Sequence, residues 1–269
     1  MIKGKYYVID SHCHIYPEKI ASLAINHTDE FYSEHSHCKG TIEDLLKNGE
    51  KTGIDKFIVQ SVATSKYQVK KINQFIANQV NENLDKLVGL GTIHPESDNI
   101  EEDIDFLISL GLKGFKIHPD IQGFKLDHNG YLKAFEIASE RGLPVLMHTG
   151  DNRYDNSNPN RLIPILKKYK NLKVVGAHYG GWSIWEDASK VYNEFENFYV
   201  DCSSSMPYLT FEKCYEISKR YKADKILFGT DYPMWEGTLE IENLLKMDFT
   251  ETELKKIFSE NAIKLYGLN

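Results

Sequence analysis

Tyr6-Tyr7-Val8-Ile9-Asp10-Ser11-His12-Cys13-His14 is the stretch on which the reading of this chain turns. Its first four residues are aromatic and β-branched, which is the composition of a strand. Side chains alternate faces along a strand, so His12 and His14 point one way and Cys13 the other. Two imidazoles side by side at a strand end can chelate a metal ion. The search is then for further ligands.

Seven more short apolar runs follow, at 56–61, 87–92, 113–118, 144–148, 173–178, 198–201 and 225–231. Near-continuous apolar runs fit parallel strands covered on both faces better than half-exposed hairpin strands. Helical patterns lie between them. Ile100, Ile104, Leu107 and Ile108 keep the three-and-four spacing, and Asn158-Pro159 supplies an N-cap and a first-turn proline ahead of Leu162, Ile165 and Leu166. Thr41-Ile42-Glu43-Asp44 and Thr250-Glu251-Thr252-Glu253 read as capping boxes, the second opening a helix that runs to Gly267. Strand starts recur about every thirty residues, the length of a βαβ unit. Eight such units predict an α/β fold, a (β/α)8 barrel forming one domain over 1–269. A doubly wound open sheet would carry a glycine-rich phosphate loop, and the chain has none.

Residues 16–40 form an extended loop after the first strand. At the C-terminal rim of a barrel such a loop covers the mouth, so it reads as a lid or specificity loop. No strand or helix pattern fixes His35-Ser36-His37-Cys38 within it, which reads as polar loop rather than a second metal site.

Composition narrows the function. The chain has 269 residues, 41% of them hydrophobic and 26% charged, with a formal charge of −7. That is enough to bury a sizeable core, and no basic cluster interleaved with aromatics marks a nucleic-acid partner. No apolar run has the length of a membrane span, and there is no signal-peptide core. Cys13, Cys38, Cys202 and Cys214 show no CxxC spacing and read as free thiols in a reducing cytoplasm. The expected partner is a small molecule, and exposed apolar helices leave homo-oligomerisation open.

The strand ends carry the chemistry. His12 and His14 close the first strand, Lys116 and His118 the fourth, His148 the fifth, His178 the sixth and Asp231 the eighth. In a (β/α)8 barrel these ends converge on one mouth. Any one of them alone reads as an ordinary rim residue, but their coincidence on separate strands points to a metal site. Nitrogen and carboxylate ligands suit zinc foremost, then manganese, iron or nickel, as one or two ions. Arg153, after the fifth strand, is placed to clamp a carboxylate bidentately, and Trp182 and Tyr232, with Tyr179 and Trp235, to wall an apolar or aromatic substrate.

Asp10-Ser11-His12-Cys13-His14, Met147-His148-Thr149-Gly150, Gly176-Ala177-His178-Tyr179-Gly180-Gly181 and Phe228-Gly229-Thr230-Asp231-Tyr232-Pro233 together resemble the amidohydrolase superfamily of metal-dependent barrels. The likeness is to the amidohydrolase-related branch that includes aminocarboxymuconate-semialdehyde decarboxylase, and it spreads over nearly the whole chain. It implies that His12, His14 and His148 bind the metal, with Asp231 as a further ligand and general base. By the same likeness His178 activates water or contacts substrate in one-metal members and is a ligand in two-metal members. Gly114-Phe115-Lys116-Ile117-His118 resembles the fourth strand of urease and related members, which implies a carbamylated Lys116 bridging two metals and a His118 that polarises the substrate carbonyl. The alternative keeps Lys116 as a cation that binds a substrate carboxylate or pairs with an acid.

The main expectation is hydrolysis of an amide, lactone or similar bond of a small carboxylated substrate. A metal-bound water, its pKa lowered from about 15.7 toward 7, would attack, with Asp231 taking the proton and His118 or His178 helping to hold the oxyanion. The alternative is metal-dependent non-oxidative decarboxylation of a small unsaturated or aromatic carboxylate. A third reading is a catalytically inactive metal-binding barrel, against which the presence of Asp231 beside every histidine argues.

Overall fold

The computed structural model describes residue 2 and residues 4–268. Residues 1, 3 and 269 of the domain expected over 1–269 lie outside the described residues. Nine strand segments run in parallel: β1 (Ile9–His14), β2 (Lys56–Gln60), β3 (Leu87–Gly89), β4 (Gly91–Thr92), β5 (Phe115–Ile117), β6 (Pro144–Met147), β7 (Lys173–Gly176), β8 (Phe198–Asp201) and β9 (Ile226–Leu227). β3 and β4 are two halves of one strand that changes neighbour at Leu90. The Leu90 N–H donates to Val59 O and the Gly91 N–H to Gly114 O, each at 2.9 Å.

The chain closes on itself where β9 meets β1. The Ser11 N–H donates to Phe228 O (2.8 Å), the Asp231 N–H to His12 O (2.9 Å) and the His14 N–H to Tyr232 O (2.6 Å). Asp10 adds side-chain bonds across the same seam, accepting from the Thr230 N–H at 3.0 Å and hydroxyl at 2.6 Å. These bonds close an eight-stranded (β/α)8 barrel, as the recurrence of strand runs predicts.

Alternation along the strands divides the core in two. Inward residues Ile9, Ile58, Val88, Leu90, Leu146, Val175 and Leu227 fill the barrel, plugged from below by Ala262, Leu265 and Tyr266 of the last helix. Outward residues such as Phe57, Phe115, Ile117, Val145 and Val174 pack against the surrounding helices. The first strand begins at Ile9 rather than Tyr6, because Tyr6 pairs back antiparallel with Ile2.

The expected helices form, with α2 (Ile42–Thr52), α4 (Ile100–Ser109) and α5 (Pro159–Lys168) opening at Thr41, Asn99 and Asn158. The capping box at Thr250 is complete, whereas Thr41 makes only its forward bond, to the Asp44 N–H at 3.4 Å. The segment expected as an extended loop over 16–40 carries a helix of its own, α1 (Glu18–Tyr32), which buries one residue, Ala21. Its apolar face, Ile20, Leu23, Ala24 and Phe31, is interrupted at His27 and Thr28, which weakens the helical pattern in sequence. α3 (Val69–Glu82) lies across the mouth from it and buries Val69, Asn73, Ile76 and Ala77. Among the described residues no helix is long and apolar enough to cross a membrane.

Candidate metal centre

His12, His118 and His148 are buried at the C-terminal mouth with Lys116 and His178, and His14 lies beside them, mostly covered. Regular alternation aims part of the group: Lys116 and His118 share the inward parity of β5, and His148 follows inward Leu146 on β6. The other members depend on irregularities. Counting from inward Ile9, strict alternation would turn His12 outward, but the register of β1 slips between Asp10 and Cys13. That bulge re-aims both histidines into the barrel and leaves Cys13 in the outer core. His178 and Asp231 take left-handed backbone, with φ of 59° and 66°. Such conformations are uncommon for residues with a Cβ and are held by neighbours. Here the Asp201 carboxylate accepts the His178 N–H (3.1 Å) and His12 O accepts the Asp231 N–H (2.9 Å).

His12 is the hub. Its Nδ1 donates to Asp201 Oδ2 at 2.9 Å, which leaves the lone pair of Nε2 facing the mouth. Around Nε2 lie His14 Nε2 at 3.1 Å, Asp231 Oδ1 at 3.1 Å and Lys116 Nζ at 3.1 Å. Asp231 Oδ1 is also 3.5 Å from His14 Nε2, while its Oδ2 accepts from the Ser204 hydroxyl at 2.6 Å. Burial pushes His12, His14, His118 and His148 well below the usual histidine range, and His178 down to about 3. His12 Nε2, His14 Nε2 and Asp231 Oδ1 thus converge on one point, with the Lys116 amine beside them. The donor set fits a divalent metal.

Asp201 and Ser203 organise the far side. Ser203 gives its hydroxyl proton to Asp201 Oδ1 and accepts from His178 Nδ1 at 2.9 Å, so His178 also turns its Nε2 lone pair away from the strand. His12, His178 and Asp201 form a second close group of metal-binding side chains. Asp201, spent on His12 and His178, orients those two imidazoles.

His148 stands outside the close groups. Its ring stacks on His118 at 4.1 Å between centroids and lies 5.0 Å from His178. Its Nε2 is buried without a hydrogen-bond partner, with Asp120 Oδ2 3.8 Å away. Lys116 is fully buried, and burial pushes its amine down to about 8 against the pull of Asp231 and Asp201.

The expected substrate walls are placed otherwise. Arg153 does not face the cavity: it pairs with buried Asp151 through Nε (3.0 Å) and Nη2 (2.7 Å) and donates from Nη1 to Phe31 O at 2.7 Å. Its guanidinium lies over the rings of Phe31 (4.8 Å) and Tyr32 (5.3 Å), so it latches α1 over the mouth. Tyr232 is buried and turned outward, its hydroxyl on Asp44 Oδ2 at 2.9 Å and Thr41 O at 3.2 Å. Tyr179 likewise points away, toward the Ser218 hydroxyl at 2.8 Å. Trp182 packs edge-on against Tyr32 at 5.0 Å, behind the histidines.

Sequence reasoning passed over Tyr32. Its oxygen lies 2.7 Å from His118 Nε2. His118 Nδ1 accepts the Ile121 N–H at 3.2 Å, so the ring proton sits on Nε2 and points at the phenol oxygen. The Tyr32 hydroxyl proton is then free for His148 Nδ1, 3.4 Å away, or for a bound oxygen. Asp201, by contrast, ends β8 as the other site residues end theirs, and the strand-end rule alone would have found it.

The cavity that contains this group is about 670 Å³, and Asp231 is the one carboxylate among its described lining residues. The family model described as Amidohydrolase matches residues 9–268. A curated relative, 2-amino-3-carboxymuconate-6-semialdehyde decarboxylase of Dictyostelium discoideum, is 24% identical over 241 residues, covering 74% of this chain and 66% of its own length. Among solved structures, 5-carboxyvanillate decarboxylase of Sphingomonas paucimobilis superposes with a TM-score of 0.75 at 15% identity, covering 98% of this chain and 99% of its own. The enzyme of that name from Novosphingobium aromaticivorans, solved with manganese and 4-hydroxy-3-methoxy-5-nitrobenzoic acid, gives 0.75 at 18% identity, covering 99% and 97%. With the family model matched over nearly every described residue and the barrel shared end to end, the chain belongs to the amidohydrolase family.

Proposed function

We propose that this protein is a metal-dependent, non-oxidative decarboxylase of an unsaturated or aromatic carboxylate. The observation that carries the reading is that the matched curated relative and the two superposed enzymes above are decarboxylases, and that the mouth of this barrel holds a cluster of histidine and carboxylate donors. The hydrolase expectation shares that cluster but has no hydrolase among those relatives. We assign the metal to His12, His14 and Asp231, with His148 completing the set. Zinc and manganese both suit two imidazoles and a carboxylate. When bound, the ion supplies positive charge that fixes a carboxylate and draws electron density toward it.

The chain's own groups supply the rest. Lys116, as an ammonium at the inner end of the cavity, orients the departing carboxylate. Its carbamylation would instead serve a two-metal hydrolytic site and stays the second reading. His178 and the Tyr32 hydroxyl hold a second oxygen of the substrate. The bond from carbon to CO₂ breaks with its electrons left on carbon, and that carbon takes a proton from the Asp231 carboxyl, which regains one from water. The α1 segment acts as the specificity element of a single domain, excluding water above the reacting carbon. The four free cysteines fit a reducing, cytoplasmic setting.

The test is a panel of carboxylated aromatic and unsaturated acids incubated with zinc- and manganese-loaded protein, with released CO₂ measured. Turnover should fall about 10²- to 10⁴-fold in Asp231→Asn. Amide or lactone hydrolysis without any CO₂ release would overturn the assignment in favour of the hydrolase.

A further inference from the structure

The cavity is larger and greasier than a small ring acid needs. At a generous ~30 Å³ for each water-sized group, an acid of about twelve heavy atoms takes up roughly half of it. The remainder leads away from the metal group between two helices. α1 turns Ile20, Leu23, Ala24 and Phe31 toward it, with His27 and Thr28 between them, and α3 turns Ile72 and Phe75 from the other side, beside Lys71. Ile72 and Phe75 are backed by the core and Phe31 lies under Arg153, but the outer part of the α1 face is uncovered. Ile20 is 48% and Leu23 58% exposed, on a 15-residue helix that buries only Ala21. A helix held over a mouth by Arg153, with Ile20 and Leu23 bordering empty space, has their missing partner in that space. The space is continuous with His12, His14, Lys116, His178 and Asp231, so the occupant reaches the reacting centre.

We propose that the substrate carries, beyond its reacting head, an apolar tail of about ten carbon-sized groups that lies between α1 and α3. The inference rests on the metal-site reading above and extends it to substrate class: a long-tailed amphipathic acid rather than a compact ring acid. The tail supplies the apolar surface that α1 lacks, so binding orders the lid as well as the head.

Straight-chain hydroxamates from acetohydroxamate to decanohydroxamate test this on the manganese-loaded protein by calorimetric titration, with no turnover required. The hydroxamate head takes the metal and the chain reports the tail channel. Affinity should tighten about two- to fourfold per added methylene beyond the head. Ala24→Trp and Ile72→Trp, on opposite helices and checked for native circular dichroism, should each cut the decano-to-aceto affinity ratio at least about tenfold. A series that binds with no gain from chain length overturns the tail and leaves the metal site standing. Long chains that bind while acetohydroxamate does not uphold the tail and remove the metal reading, and no binding at all removes both. Self-association that Leu23→Asp abolishes, with no gain from chain length, gives the apolar face to a second copy of the chain instead.

Discussion

Asp201 touches no cavity surface, yet it sets which nitrogen His12 offers to the mouth. Its Oδ2 holds the His12 Nδ1 proton at 2.9 Å and its Oδ1 the His178 N–H at 3.1 Å. Replacing it with Asn lets His12 present either tautomer, so metal affinity should drop about 10- to 100-fold in a competition titration while circular dichroism stays native. Tyr32 acts from the lid. Tyr32→Phe removes the hydroxyl from beside His118 and His148 and should lower kcat by about tenfold, the worth of one hydrogen bond, with metal content unchanged by elemental analysis. An unaltered kcat would place the phenol outside the reaction. At this scale the sequence names most of the site, because a histidine at a strand end is visible as a letter. What it hides is aim. The slip between Asp10 and Cys13 and the left-handed turns at His178 and Asp231 leave no trace in strict alternation, though they deliver four of the site's side chains.

At the scale of elements, strands read more easily than the lid. The runs at 56–61, 144–148 and 198–201 become β2, β6 and β8 with bounds shifted by at most a residue, since their central positions are apolar and both faces are largely buried. β9 keeps only Ile226–Leu227, because the Phe228 N–H is taken by Ile257 O of the π-helical stretch Lys256–Glu260. α1 is the opposite case: His27 and Thr28 interrupt its apolar face, and its anchor, Arg153, lies 122 residues away from Phe31 in sequence. That distance is also why Arg153 reads as a substrate clamp until its partners are seen. Arg153→Ala should release α1: amide hydrogen exchange over 18–32 should quicken at least tenfold while protection of the barrel strands stays level. Equal protection in the variant would mean that α1 is held by other contacts.

For the molecule as a whole, stability should depend on a buried carboxyl outside the cavity. Glu240, in the first turn of the helix Thr238–Lys246, is 1% exposed, and neither carboxyl oxygen has a partner. Burial, reinforced by Asp10 and Asp231, pushes it from 4.5 up to about 7. Between those values the folded protein keeps a proton that the unfolded chain has lost, so stability declines as pH rises through that window. Glu240→Gln should flatten this decline and make the protein more stable at pH 8 by on the order of 3 kcal/mol, read from urea midpoints at pH 5 and pH 8. A variant whose pH profile matches the parent would assign the slope to other groups, of which Asp120, pushed up to about 7, is the nearest in kind.

The seam that closes the barrel also assembles the metal centre, since His12 and His14 come from one edge and Asp231 from the other. A ribosome must therefore extrude the chain through Asp231 before the ion has a home. During synthesis the early histidines wait through more than two hundred codons as unliganded imidazoles, and loading is the last act of folding rather than its nucleus. In a cell short of metal, the species that accumulates should be a finished barrel with a loose first strand. Proteolytic quality control would meet it at that strand and not in the middle of the chain.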